Sequence, residues 1–175
     1  DVGSPRACKG IAEGVENSNF LIETSRDRFI LTLYENRVDV GDLPFFIDLV
    51  GHLAAADLPV PAFIADRDGR TVQEVAGRPA CLITFLKGIS PDRPDTTQAA
   101  AVGKALADMH DALADYEGSR PNSLDRRGWR TLAESCNQAG LDDIQPGLTD
   151  RIEAELALTD TDWPEALPHA PIHAD

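Results

Sequence analysis

Lysine is scarce in this chain, with three residues (Lys9, Lys87 and Lys104) among 175. Lysine and arginine together number 16 against 30 acidic residues, a formal net charge of −14. The acid excess is spread along the chain. A sequence-independent grip on nucleic acid or on anionic lipid needs a basic surface, so neither partner class is expected. Cysteine is also sparse: Cys8, Cys81 and Cys136 are widely spaced and form no CxxC pair. That argues against a disulfide scaffold and a cysteine zinc site, and it fits a reducing, cytoplasmic setting. No apolar run approaches the roughly 20 residues that span a bilayer. No basic segment followed by an apolar stretch opens the chain. What remains is an ordinary globular composition, 42% hydrophobic and 26% charged. A chain of about this length buries roughly 70% of its unfolded surface, enough for a core without staples.

The organisation changes part-way along. Residues 10–19, Gly-Ile-Ala-Glu-Gly-Val-Glu-Asn-Ser-Asn, read as a polar, turn-rich loop. Phe20–Thr24 and Arg28–Tyr34 are β-branched and aromatic runs around Ser25-Arg26-Asp27, which predicts an antiparallel hairpin. A helix is expected over 43–56, capped by Asp42, with Leu43, Phe46, Ile47, Val50, Leu53 and Ala54 on one face. Pro44 is tolerated in the first turn. Strands are expected at 62–65, 71–75 and 80–86, the first two joined by the Asp-Gly turn 66–70. Residues 87–94, with one glycine, two prolines and three charges, mark a hinge. Beyond it the pattern turns helical. One helix runs from a Thr96 or Thr97 cap to about Ala114, burying Val102, Leu106, Met109 and Leu113. Others are expected at 129–139, ended by Gly140, and at 148–160. The expected fold is α+β in two lobes: an antiparallel five-stranded lobe over 1–86, the linker 87–94, and a partial helical lobe over 95–175.

A small-residue loop, a five-stranded sheet, a hinge, and helices leading to His173-Ala174-Asp175 follow the order of parts in a kinase-like phosphotransferase. Such a loop brings backbone N–H groups close to phosphates. Gly14, Asn17, Ser18 and Asn19 suit that task, although alone they would read as a hairpin cap. His-x-Asp is likewise a common tripeptide that is usually structural. Trp129 and Trp163 are read as packing residues, and the pair Phe45-Phe46 as packing the first helix on the sheet.

The stretch Gly10-Ile11-Ala12-Glu13-Gly14-Val15-Glu16-Asn17-Ser18-Asn19-Phe20, followed by Phe29-Ile30-Leu31-Thr32-Leu33-Tyr34-Glu35, resembles the homoserine kinases of the aminoglycoside phosphotransferase and choline kinase-like superfamily. Asp42–Phe46, Leu58–Pro61, Gly103–His110 and the closing Ile172-His173-Ala174-Asp175 extend the resemblance from about Lys9 to the last residue. It implies a protein-kinase-like fold and MgATP-dependent phosphorylation of the L-homoserine hydroxyl, a step in threonine synthesis. It further implies that Asp175 orients or accepts the substrate proton and that His173 shapes the catalytic loop. Adenine would bond to backbone at Thr84, Phe85 and Leu86, and Gly14, Asn17, Ser18 and Asn19 would meet the phosphates.

Two departures follow. Kinases commonly carry a lysine in the strand after the loop, and here Thr32 stands at that position. The homoserine kinases look Thr-like there as well, which leaves the phosphate counter-charge unassigned, with Arg37 a nearby candidate. The Asn and Asp that hold magnesium in the family have no counterpart within this sequence, so no metal ligand is assigned. The chain is therefore expected to be an incomplete and inactive piece of a kinase. Its helical part is expected to expose apolar surface. The alternatives are a superfamily kinase for another small alcohol or an aminoglycoside, or a non-catalytic kinase-like binding module.

Overall fold

The computed structural model describes residues 1–12, 17–35, 39–136, 138–164, 166–167 and 169–172, with only the backbone at 138 and 139. Five strands form one antiparallel sheet: β1 (Pro5–Ile11), β2 (Asn17–Thr24), β3 (Arg28–Tyr34), β4 (Val72–Val75) and β5 (Arg78–Thr84), in spatial order β1-β2-β3-β5-β4. The expected β2–β3 hairpin is present. Its turn is held by Thr24, whose N–H donates to the Asp27 carbonyl at 2.9 Å and whose hydroxyl donates there at 2.8 Å. The sheet has the expected number of strands but a different membership.

β1 is a strand that the pattern does not announce. Pro-Arg-Ala-Cys-Lys-Gly has no apolar alternation, and nearly every residue is exposed. Backbone pairing with β2 makes it a strand, with a register shift between Pro5 and Ala7. Proline, lysine and an irregularity are what a protected sheet edge carries. Residues 62–65, by contrast, do not form a strand. Only Phe63 bridges Ile83, flanked by Ile64 N–H donating to the Leu82 carbonyl at 2.8 Å. The reason is geometric: this segment and β4 share one edge of β5, β4 pairing with residues 78–81 and the bridge lying beyond it. β4 turns into β5 through Ala76 and Gly77, both at positive φ (52° and 73°), the mirror-image turn that suits strand twist.

Helix α1 (Leu43–Ala55) begins at Asp42, but the Asp42 side chain makes no cap bond. The carboxylate that caps is Asp39, which accepts from Gly41 N–H at 2.8 Å in the preceding 3-10 turn. Leu43 and Leu53 are its buried residues. Phe45 and Phe46 meet edge to face, and Phe45 also meets Tyr116. Helix α2 (Thr96–Ala112) is capped by Asp95 rather than by Thr96 or Thr97. Asp95 Oδ1 accepts from Gln98 N–H at 2.8 Å while Gln98 Oε1 accepts from Asp95 N–H at 2.9 Å, a reciprocal capping box. The two helices are fastened together. His52 Nε2–H donates to the Ala112 carbonyl at 2.7 Å, and Tyr116 hydroxyl donates to Asp48 Oδ2 at 2.8 Å. Burial, then the hydrogen bond to Asp48, pushes the Tyr116 phenol up to about 12. Of the residues expected on the buried face of α2, only Leu113 is buried, just past its end; Val102 is 61% exposed.

The chain divides into two compact units, Asp1–Ser119 with residues 170–172, and Arg120–His169. Residues 87–94 are coil inside the first. The second holds α3 (Arg126–Ser135), α4 (Gln138–Ile144) and α5 (Leu148–Thr161). The expected single helix over 129–139 is thus two, and Gly140 lies inside α4 rather than ending α3. The break falls at Cys136, whose backbone is extended at ψ 141°. Trp129 and Trp163 pack edge to face, 5.8 Å between centroids, as packing residues would. Arg130 joins α3 to α5 through Asp160 at 2.6 Å.

Candidate functional site

Strand register decides which side chains can act together. Asn19 lies opposite Thr32, which lies opposite Cys81, and Asn17 lies opposite Tyr34. Side chains alternate faces, so Asn17, Asn19 and Leu21 share one face with Ile30, Thr32, Tyr34, Cys81 and Ile83. Thr32 hydroxyl donates to Asn19 Oδ1 at 2.8 Å, which leaves the Asn19 amide N–H groups as donors on this face. Asn17 Oδ1 is buried and has no partner. The Tyr34 hydroxyl is hydrogen-bonded to the Cys81 sulfur, and burial is the main cause that raises both groups above their usual values. Around Asn17, Asn19, Thr32 and Tyr34 this face carries amides and hydroxyls, with the apolar Leu21, Ile30 and Ile83 further along it, and the register also puts Lys9, opposite Leu21, on this face.

Ser18 points the other way. Its hydroxyl donates to Glu35 Oε1 at 2.9 Å, and the same carboxylate pairs through Oε2 with the Arg78 guanidinium. Asn17, Ser18 and Asn19, expected as one set, are split across the sheet. Glu35 and Arg78 are the residues that sequence reasoning missed. They lie on different strands, and no local pattern joins them.

Thr84, Phe85 and Leu86 stand at the opposite end of the sheet from Asn17. Thr84 closes β5, opposite Phe29. The distance along β3 from Phe29 to Tyr34 is about 16 Å at ~3.3 Å per residue. Thr84 is committed to the neighbouring segment: its N–H donates to the Ala62 carbonyl and its hydroxyl accepts from Ala62 N–H, each at 2.9 Å. Phe85 N–H donates to the Arg28 carbonyl at 3.3 Å, and the Arg28 guanidinium lies 4.5 Å above the Phe85 ring. Leu86 is 48% exposed, and no backbone bond engages it among the described residues. Gly14, Arg37, His173 and Asp175 lie outside the described residues. A cavity of about 430 Å³ lies elsewhere in this unit, lined in part by Val2, Ile64, Arg67 and Leu82, and includes none of the expected site residues.

Residues 7–175 match the phosphotransferase enzyme family. The chain belongs to that family. Within it, proteins named homoserine kinase from Xanthobacter autotrophicus and Rhodospirillum rubrum are each 50% identical over 175 residues, 100% of this chain and 54% of theirs. One from Rhodopseudomonas palustris is 51% identical over 176 residues, with the same shares. This phosphotransferase-family chain thus spans about half the length of the curated relatives it matches. Two solved structures share the fold. Spectinomycin phosphotransferase in complex with ADP and spectinomycin superposes with a TM-score of 0.60 at 11% identity, over 90% of this chain and 53% of that one. A microcompartment-associated aminopropanol kinase gives 0.58 at 20% identity, over 85% and 53%. The expected α+β, protein-kinase-like fold, a five-stranded antiparallel sheet with helices, is therefore the fold observed. No helix among the described residues is long and apolar enough to cross a membrane.

Proposed function

We propose that the complete protein transfers the γ-phosphoryl group of ATP to the hydroxyl of L-homoserine, giving O-phospho-L-homoserine in the cytoplasm. The observation that carries this reading is the identity of about 50% along the whole chain to proteins named homoserine kinase. The sheet supports the nucleotide half of it. The amide side chains of Asn17 and Asn19 lie at one end of one face, and Leu86, whose backbone no bond engages among the described residues, follows the strand at the other.

In this reading adenine takes its hydrogen bonds from the segment Thr84-Phe85-Leu86. Leu86 supplies the backbone groups, because those of Thr84 and Phe85 named above are engaged. Gly14, Asn17 and Asn19 meet the phosphates, and Ser18 supports them from behind the strand. The reaction breaks the bond between the γ-phosphorus and the oxygen that leaves with ADP, and forms one to the acceptor hydroxyl oxygen. Asp175 takes the hydroxyl proton and His173 holds the loop that carries it. Phosphoryl transfer also draws on magnesium to spread charge over the phosphates. Among the described residues no three His, Cys, Asp or Glu side chains gather as a metal site, and no step is routed through the ion.

The test is ADP release by the complete protein with MgATP and a panel of homoserine, choline, serine and an aminoglycoside. Turnover with homoserine alone is expected, falling by about 10²–10⁴-fold in Asp175→Asn. Turnover with another acceptor, or with none despite ATP binding, overturns the assignment.

A further inference from the structure

β2 and β3 pair in one regular register, from Asn17 opposite Tyr34 to Glu23 opposite Arg28. Phe20, Leu21 and Ile22 are all apolar, as are Phe29, Ile30, Leu31 and Leu33, so both faces of the hairpin are apolar through its middle. In a hairpin apolar on both faces the hydrophobic pattern does not choose between pairings one residue apart, so the choice falls to the turn, held here by Thr24 and Asp27, and to the polar groups at the open end. A slip by one residue would turn Asn17 and Asn19 to the far face and bring Ser18 to the near one. The polar groups at the start of β2 distinguish the two registers. Thr32 holds Asn19 on one face. On the other, Ser18 is held by Glu35, and Glu35 by Arg78, so that β2, β3 and β5 are tied together where the chain enters β2.

We infer that Ser18, Glu35 and Arg78 form a register clasp that positions Asn17 and Asn19 for the nucleotide, and that Ser18 is itself a positioning residue rather than a phosphate ligand. The inference rests on the nucleotide reading proposed above. The pair is too exposed to matter much for stability, the Arg78 and Glu35 side chains being 46% and 29% accessible. Its value lies in selecting one of two pairings that the hydrophobic pattern does not distinguish, as buried polar residues do in coiled coils. The mirror-image turn at Ala76-Gly77 delivers Arg78 to the start of β5, where the guanidinium reaches Glu35 from the neighbouring strand. Arg78 therefore does not supply the missing phosphate counter-charge: it sits on the far face, already paired with a carboxylate.

The experiment measures ATP affinity of the complete protein by equilibrium dialysis with a non-hydrolysable ATP analogue, alongside the KM for each substrate. The variants are Ser18→Ala, Ser18→Thr, Glu35→Gln, Arg78→Leu, Arg78→Lys and the double variant Glu35→Gln/Arg78→Leu. Ser18→Ala, Glu35→Gln and Arg78→Leu are each expected to weaken ATP binding by about tenfold, and the double variant no more than either single, since residues in one network are not additive. Ser18→Thr and Arg78→Lys keep the hydroxyl and the charge and should restore most of the affinity. The KM for the acceptor and the melting temperature should stay near the wild-type values. A loss confined to Ser18→Ala would make Ser18 a direct ligand and overturn the clasp. So would lower melting temperatures with unchanged ATP affinity, which mark a merely structural pair. Wild-type protein that binds no ATP overturns the nucleotide reading and the clasp with it. Wild-type protein that binds ATP and phosphorylates homoserine, with variants that bind as well as wild type, overturns the clasp alone. Ser18→Ala removes one hydroxyl from a strand that keeps its ladder, so it provides a folded variant even if the charge variants do not fold.

Discussion

The sheet-bearing unit and the helical unit hold themselves together by different means. The first buries Phe29, Leu43, Leu53, Ala80, Cys81 and Leu113, and among the described residues the second buries only Leu156. In the first, backbone ladders and side-chain caps leave few choices of arrangement. In the second, Trp129 of α3 meets Trp163 just past α5, and α3 meets α5 through exposed ion pairs such as Arg130 with Asp160, while Leu132, Ile144 and Leu158 stay more than half exposed at 57%, 77% and 54%. Apolar burial contributes about 25 cal/mol per Å² and an exposed ion pair contributes little. The difference teaches that secondary structure and folding energy are distributed separately along this chain. The helices are well formed where the core is thin.

The largest expected effect tests that contrast directly. Leu43→Ala at the 1% exposed start of α1 should cost about 2–5 kcal/mol in denaturant unfolding, whereas Ile144→Ser, at 77% exposure, should stay within about 0.5 kcal/mol. Similar losses at both sites would erase the distinction between the units. Next in size is Asp95→Ala. It removes the side-chain acceptor of the box at the start of α2, leaving the backbone N–H bond to Gln98, and should lower stability by about 1 kcal/mol in the same assay, with Asp95→Asn close to wild type. No loss would mean that α2 is held by its contacts to α1 rather than by its cap. The smallest effect separates acid-sensitive from salt-sensitive bonding. Asp66 accepts from Arg70 and Asp68 N–H at 2.8 and 2.9 Å, and the Arg70 backbone bond first of all holds its carboxyl below the usual carboxylate range. A depressed folded-state value means that the stabilisation is complete at neutral pH and disappears as pH falls through the carboxylate range. The melting temperatures of wild type and Asp66→Asn should therefore differ slightly at pH 7 and converge in acid. A difference that persists in acid would show that the Asp66 charge is not the source.

Much of this was legible in advance, for physical reasons that differ from residue to residue. The β2–β3 hairpin was readable because Ser25-Arg26-Asp27 interrupts two β-rich runs, and α1 because its apolar residues repeat at helical spacing. β1 was not readable, because backbone pairing alone makes Arg6 and Lys9 part of a strand. Residues 62–65 carried the composition of a strand but share an edge of β5 with β4, which no local pattern reveals. The helix break at Cys136 was hidden by periodicity that continues on both sides. At the site, Asn17, Ser18 and Asn19 announced themselves by residue type. Their division between two faces depends on register, and the apolar run Phe20-Leu21-Ile22 gives no sign of which register holds. Glu35 and Arg78 meet only after three strands have assembled.

The bonds from His52 to the Ala112 carbonyl and from Tyr116 to Asp48 have a consequence for the coil 87–94. Every residue of that coil is exposed, and α2 is secured to α1 by side chains rather than by the peptide that leads to it. A protease has free access to the connection, yet one cut there would leave the helix docked. The coil thus works as a tether more than as a strut. Lengthening it, or changing its prolines and charges, should leave the sheet and the docked helix in place.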